Sequence, residues 1–271
     1  MSHTQAVGSR ARRGGWRGLR ASLGLLALLA STVGATSGCA TPGRWTDYTS
    51  VSVGKAAGGH IHRPVRLTPK GVGYKVPKTW RERGNQWGTE ELVATIERAA
   101  ARVQAQESRR RIFLGVADLS PKRGGKTMWH ASHQSGRDVD LIFYAVDEHK
   151  KPLPPPEIEM VHFDGHGEPF VPKAMAATGY EEPTWAQRRF DDARNWARGQ
   201  PLLTHRPITV QCISALNQLQ LQHHASAERH ERPRWLIESA RQVMHQPGAS
   251  APPDDHFHVR LYSSRADRQL G

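Results

Sequence analysis

The segment Asp254-Asp-His-Phe-His-Val-Arg-Leu261 constrains the fold more than any other stretch of the chain. From His256 onward ionisable and apolar residues alternate, a period of two that a strand divides between opposite faces. Phe257, Val259 and Leu261 then anchor one face in a core, and His256, His258 and Arg260 share the other. Two imidazoles on one face of an anchored strand point into a common space. A second segment, Trp129-His-Ala-Ser-His-Gln-Ser-Gly-Arg-Asp-Val-Asp-Leu141, carries a similar mixture. Asp138 and Asp140 share a face at the start of a predicted strand over 138–144. Gly136 permits a tight turn that returns His133 to the side of Asp140.

A catalytic zinc takes three nitrogen or oxygen ligands and keeps one position open. His133, Asp140 and His258 supply such a set from two strands, leaving His256 beside the metal to exchange protons. The chain holds 15 His, so spacing alone leaves metal binding and a chance His-x-His pair as open alternatives.

Around these segments the patterning predicts a helix over 89–104, with Thr89 as N-cap and Glu90 and Glu91 in its first turn. Further helices are expected near 185–198, 214–226 and 233–245, and strands over 112–116, 208–213 and 256–262. Residues 150–183, rich in Pro, Gly and charge, read as a long excursion. Irregularly alternating strands and helices give an α+β fold, with a largely antiparallel central sheet, flanking helices and the zinc site on the sheet.

With 38 Lys+Arg against 25 Asp+Glu, the net charge is +13, which invites a nucleic-acid reading. Its placement argues otherwise. Arg10, Arg12, Arg13, Arg17 and Arg20 precede an apolar run, Leu23–Ala30, and small residues up to Cys39, the layout of a secretory leader. Without residues 1–39 the charge falls to +8, because five basic residues and no acidic ones leave. The approach to Cys39 resembles a bacterial lipoprotein cleavage box, so Cys39 is expected to be lipidated; the rival is cleavage after Ala35. The expected division is a leader over 1–39, a tether and loops over 40–75, a main domain carrying both histidine segments over 76–262 and a tail over 263–271. Cys212 reads as a buried small hydrophobe.

Ser132–Tyr144 together with Asp254–Tyr262 resembles the penicillin-insensitive murein endopeptidases, of the group uniting D-Ala-D-Ala metallopeptidases, lysostaphin-type enzymes and hedgehog domains. Weaker similarity runs through Ser52–Gly54, Gly71–Tyr74, Trp87–Thr89, Phe190–Trp196 and His245–Gly248. The resemblance implies a zinc hydrolase that cuts D-alanyl–meso-diaminopimelyl cross-links in peptidoglycan. It makes His133, Asp140 and His258 the zinc ligands, places His256 at the reacting centre and sets His130 close by. The chain departs from the pattern at Pro253, where relatives carry a further histidine. Asp255 stands where related peptidases place a general-base Glu, but a strand would point it away from His258, which favours His256. The implied partners are cross-linked peptides and, through Cys39, a membrane; no nucleic acid is expected, and the implied location is the periplasm, anchored to the outer membrane. The alternative is a catalytically silent, zinc-containing envelope lipoprotein that binds peptidoglycan.

Other residues carry two readings each. Asp138 either holds a ligand imidazole or caps loop amides, and Arg260 either grips a substrate carboxylate or is solvated. Trp129 either stacks on substrate or packs in the core. The histidines at 60, 62, 223 and 224 read as surface residues, Arg109–Arg111 as a solvated loop and His245 as part of a turn.

Overall fold

The structure, a computed structural model, describes residues 49–106, 112–181, 184–204, 210–215, 228, 231–244, 253–263 and 267. The leader, Cys39, Arg109–Arg111, His223, His224 and His245 lie outside the described residues, as does the helix expected near 214–226 from 216 on; Ser214 ends a strand. The elements that frame the site are β1 (Val51–Lys55), β2 (Gly58–His62), α1 (Lys78–Arg83), α2 (Glu90–Gln106), β3 (Asp138–Ile142), β4 (His162–Phe163), α3 (Asp192–Thr204), β5 (Val210–Ser214), α4 (Arg234–Val243) and β6 (His256–Leu261). Shorter pairings complete an α+β fold whose sheets are mostly antiparallel.

β6 is the middle strand of an antiparallel sheet ordered β5-β6-β3. Its register sets His258 opposite Asp140 and Arg260 opposite Asp138, so the ionisable faces of the two strands coincide. The opposite face is core: Phe257, Val259 and Leu261 are buried, and the Phe257 ring meets that of Phe143 edge-on at 4.8 Å between centroids. Phe143 in turn meets Phe190 at 5.0 Å. An aromatic pair of this kind adds about 0.5–1.5 kcal/mol beyond its buried area. Removing the Phe257 ring would cost about 3–5 kcal/mol and release the strand that carries both histidines. Under the same face, Arg198 of α3 is fully buried, donates to the Ile142 carbonyl at 2.9 Å and lies 4.3 Å from the Phe257 ring centre.

α2 begins as its sequence dictates. Thr89 Oγ1 accepts from the Leu92 N–H at 3.3 Å, and Glu90 and Glu91 occupy the positive end of the helix. Its buried stripe includes Leu92, Val93, Ile96, Ala100 and Val103. The α4 helix and strand β5 fall within about two residues of expectation.

Four expectations need correction. Residues 51–62, expected to be tether and loop, form the β1–β2 hairpin; only Ser52 and Ile61 of it are buried, so no apolar alternation marks it. The helix expected at 185–198 starts at Asp192, after a 3-10 turn at Trp185–Gln187 and a strand at Arg189–Phe190. Asp191 stops it from starting earlier, its carboxylate accepting from the Arg194 N–H at 3.2 Å as an N-cap does. The strand expected at 112–116 shrinks to Leu114–Gly115, paired in parallel with Tyr74–Lys75, plus a single bridge from Val116 to Leu141. Strand β3, expected half-buried, is buried on both faces, because the histidine cluster and Arg260 cover its carboxylates.

Candidate metal centre

The loop between Ala117 and Arg137 brings His133 to the sheet. His133 itself adopts a left-handed φ of 61° and Gly136 a φ of 75°. A Cβ on Gly136 would stand 2.4 Å from Ile61 Cδ1, so only glycine fits this approach. The Gly136 N–H donates to Ser120 Oγ at 3.0 Å, and its carbonyl accepts from the Thr89 N–H at 2.9 Å, fastening the loop to the start of α2. Arg137 is buried and ties the next residue down, donating to Ser52 Oγ at 2.8 Å and to the Gly54 and Leu261 carbonyls at 3.2 and 3.4 Å. The β1–β2 hairpin therefore braces the site.

Side chains converge on one atom, Asp140 Oδ1. His258 Nδ1 lies 2.9 Å from it, His133 Nε2 3.2 Å and His256 Nε2 3.3 Å. Each ring is held by its other nitrogen. His133 Nδ1 donates to the Leu119 carbonyl at 2.7 Å, His258 Nε2 to Asp138 Oδ1 at 3.1 Å, and His256 Nδ1 to Asp255 Oδ1 at 2.5 Å. An imidazole that donates from its far nitrogen presents a lone pair from the near one. The near nitrogens of His133 and His258 are 3.2 Å apart, a separation at which two lone pairs repel unless a cation or a shared proton lies between them. Ligand atoms of a tetrahedral zinc, each at ~2.05 Å, stand roughly 3.3 Å from one another. Asp140 Oδ2 is buried and makes no hydrogen bond among the described residues. With this donor set and this unpartnered oxygen, the cluster of His133, Asp140 and His258 could hold a metal ion.

His130 stacks on His133 with ring centres 4.2 Å apart. Its Nε2 donates to Asp118 Oδ2 at 2.9 Å, and its Nδ1 stands 3.7 Å from Asp140 Oδ2. Asp118, fully buried, also accepts from Arg83 Nη1 of α1 at 2.9 Å. Arg83 lies 4.1 Å from the ring centre of Trp129, which is 51% exposed and not a core residue. Arg260 donates from Nε to Asp138 Oδ1 at 2.5 Å, and its side chain stays 24% exposed. Asp138, on the other side of the same contacts, holds the His258 ring.

The electrostatics follow from these contacts. Burial alone would push the Asp140 carboxyl up, but the imidazoles of His133 and His256 hold it well below the usual carboxylate range. Asp138 is lowered in the same way, burial being outweighed by His258, His133 and Arg260. Burial opposes the charged form of His258, yet hydrogen bonds to Asp138 and Asp140 push it up to about 9. His256 is raised well above the ordinary imidazole value by Asp140 and Asp255, against burial.

The structure thus brings together all of the sequence-predicted site residues that it describes: His130, His133, Asp138, Asp140, Asp255, His256, His258 and Arg260. Sequence reasoning missed Asp118, the Leu119 carbonyl, Arg137 and His162. Asp118 had a faint signal, a lone carboxylate directly after the apolar run Ile112–Ala117. The other three had none. Histidines 60 and 62 are surface residues, as expected, with Nε2 atoms 3.2 Å apart, and Cys212 is buried. No helix among the described residues is long and apolar enough to cross a membrane.

A family model described as penicillin-insensitive murein endopeptidase matches residues 52–161. That span contains His130, His133, Asp138 and Asp140 and ends before His256 and His258. The match supports the family that the motifs resemble. No curated protein matches the chain.

Proposed function

From the family match and the geometry together, we propose that the chain is a zinc metallopeptidase that hydrolyses D-alanyl–meso-diaminopimelyl cross-links in peptidoglycan. The observation that carries the metal is the pinning of His133 and His258 by their far nitrogens, so that both near nitrogens meet at Asp140 Oδ1. Zinc held there supplies Lewis acidity, to water and to the scissile carbonyl. The protein's own groups do the rest. The Leu119 carbonyl and Asp138 fix the ligand rings in the tautomer that binds metal, as outer partners of metal-binding histidines do. His256 Nε2, on the same side as the ligand atoms, moves a proton to the leaving amine, and Asp255 keeps its Nδ1–H in place.

This reading needs no nucleophilic serine, so β-lactams that acylate serine enzymes leave it active. Trp129, exposed and stacked over Arg83 beside His130, offers an edge against which a peptide can lie. Export by the leader, lipidation at Cys39 and a periplasmic site at the outer membrane complete the proposal. The test is digestion of purified cross-linked muropeptides by the chain, with and without a chelator. Conversion of dimers to monomers that stops with chelator and returns with zinc is the expected result. Stoichiometric zinc without conversion would favour the silent envelope protein, and an unmodified Cys39 in mass spectra of the mature protein would reject lipidation.

A further inference from the structure

His162 reaches the site from β4, within the Pro- and Gly-rich excursion. Its ring lies between two carboxylates. Nδ1 is hydrogen-bonded to Asp254 Oδ1, and Nε2 stands 3.9 Å from Asp255 Oδ2. Trp185 and Phe170 flank the ring at 5.6 and 5.9 Å between centroids. The main chains are joined too, the Phe163 N–H donating to the Asp254 carbonyl at 2.8 Å. Through its other oxygen Asp255 accepts the Nδ1–H of His256, whose Nε2 faces Asp140.

His162, Asp254 and Asp255 are close enough to suggest a second metal site. The ring argues against it. A single cation takes one imidazole nitrogen, and here the two nitrogens, on opposite edges, face different carboxylates. That arrangement suits a ring with two N–H donors, and Asp254 and Asp255 do raise the His162 pKa, against burial.

We propose that His162 is a positioning residue: bridging Asp254 and Asp255, it fixes the Asp255 carboxylate so that His256 is held by Nδ1 and presents Nε2 to the scissile amide. The inference rests on the endopeptidase reading above. Without the bridge, two adjacent carboxylates repel, Asp255 turns outward, and the His256 ring loses its anchor.

The test uses the purified, zinc-loaded chain and its His162→Gln, Asp255→Asn and double variants, with muropeptide dimers as substrate. In His162→Gln, kcat should fall by about 10-fold or more while KM stays within about twofold and zinc content is unchanged. On the Asp255→Asn background the same change should cost under about twofold, because His162 acts through Asp255. His162→Lys, which keeps a cation between the carboxylates, should retain more turnover than His162→Gln. An NMR readout is independent of turnover: the His256 Nδ1 proton, far downfield in the wild type, should move upfield in His162→Gln at unchanged melting temperature. Unchanged kcat with an unchanged His256 resonance overturns the proposal, as do additive losses in the double variant. So does a wild-type content of two zinc ions that drops to one in His162→Gln. If the wild type leaves dimers uncut, the endopeptidase reading fails by itself, and the His256 resonance still decides whether His162 positions that ring.

Discussion

Two histidine–carboxylate clusters share the approach to β6, and they differ in which nitrogens are committed. In the inner cluster, His133 and His258 each spend the far nitrogen on a fixed acceptor, Leu119 or Asp138, and keep the near one for Asp140 Oδ1. In the outer cluster, His162 binds Asp254 through Nδ1 and turns Nε2 toward Asp255 at 3.9 Å. The residue types are the same, yet the inner cluster fits a metal ion and the outer one a bridge between side chains. His256 belongs to both, bound to Asp255 through Nδ1 and facing Asp140 through Nε2. Composition and proximity therefore do not define a metal site; the second hydrogen bond of each imidazole does.

The harshest way to break the comparison is to remove an inner ligand. His258→Ala should abolish both zinc binding and cleavage, read by metal analysis and muropeptide digestion. Its circular dichroism should stay near wild type, because the residue sits on the face of β6 opposite the Phe257 core. His256→Ala should separate the two clusters. Turnover falls by about 10²–10⁴-fold, the range for losing a general acid–base group, while most zinc remains. Unchanged cleavage in His256→Ala would sink its assigned role.

A milder change acts one bond further out. Asp138→Asn keeps the shape but weakens the acceptor that holds His258 Nε2–H, and it weakens the contact with Arg260. Zinc affinity should fall by about 10–100-fold, measured by competition with a chromophoric chelator. If affinity is unchanged, Asp138 supports the strand and does not orient the ring.

The inner cluster was legible in the sequence because both of its strands alternate and because the spacing of His133, Asp140 and His256–His258 maps onto paired strands. The register of β3 against β6 was not legible, although it sets His258 opposite Asp140. A one-residue slip would have put the carboxylates in the core. The outer cluster was invisible for a different reason. His162 lies in a stretch without periodicity, 92 residues from Asp254, and only tertiary packing joins them. The β1–β2 hairpin escaped notice likewise: its hold on the site runs through polar atoms, Arg137 to Ser52 and Gly54, which leave no hydrophobic pattern. The start of α3 could have been read, since Asp191 before Asp192 is an N-cap signal that the apolar spacing of Phe190, Ala193 and Trp196 obscured.

The smallest expected effect separates the clusters by their protons. In the metal-free chain His258 holds its proton up to about 9, and Asp140, held well below the carboxylate range, is already ionised. Zinc binding near neutral pH must therefore expel at least the His258 proton. Apparent affinity should rise about tenfold per pH unit between 7 and 9 and flatten above that. Metal-free stability runs the other way. Because the folded pKa of His258 lies above its ordinary 6.5, its stabilisation is complete below about 6.5 and is lost as pH rises through about 9. Calorimetry in two buffers of different ionisation heat measures the protons released, and thermal melts of metal-free protein follow the stability. His162→Gln should leave the proton release at zinc binding unchanged, because its ring is bound to carboxylates and not to the metal. A loss of that release in His162→Gln would merge the two clusters into one titrating unit and end the distinction between them.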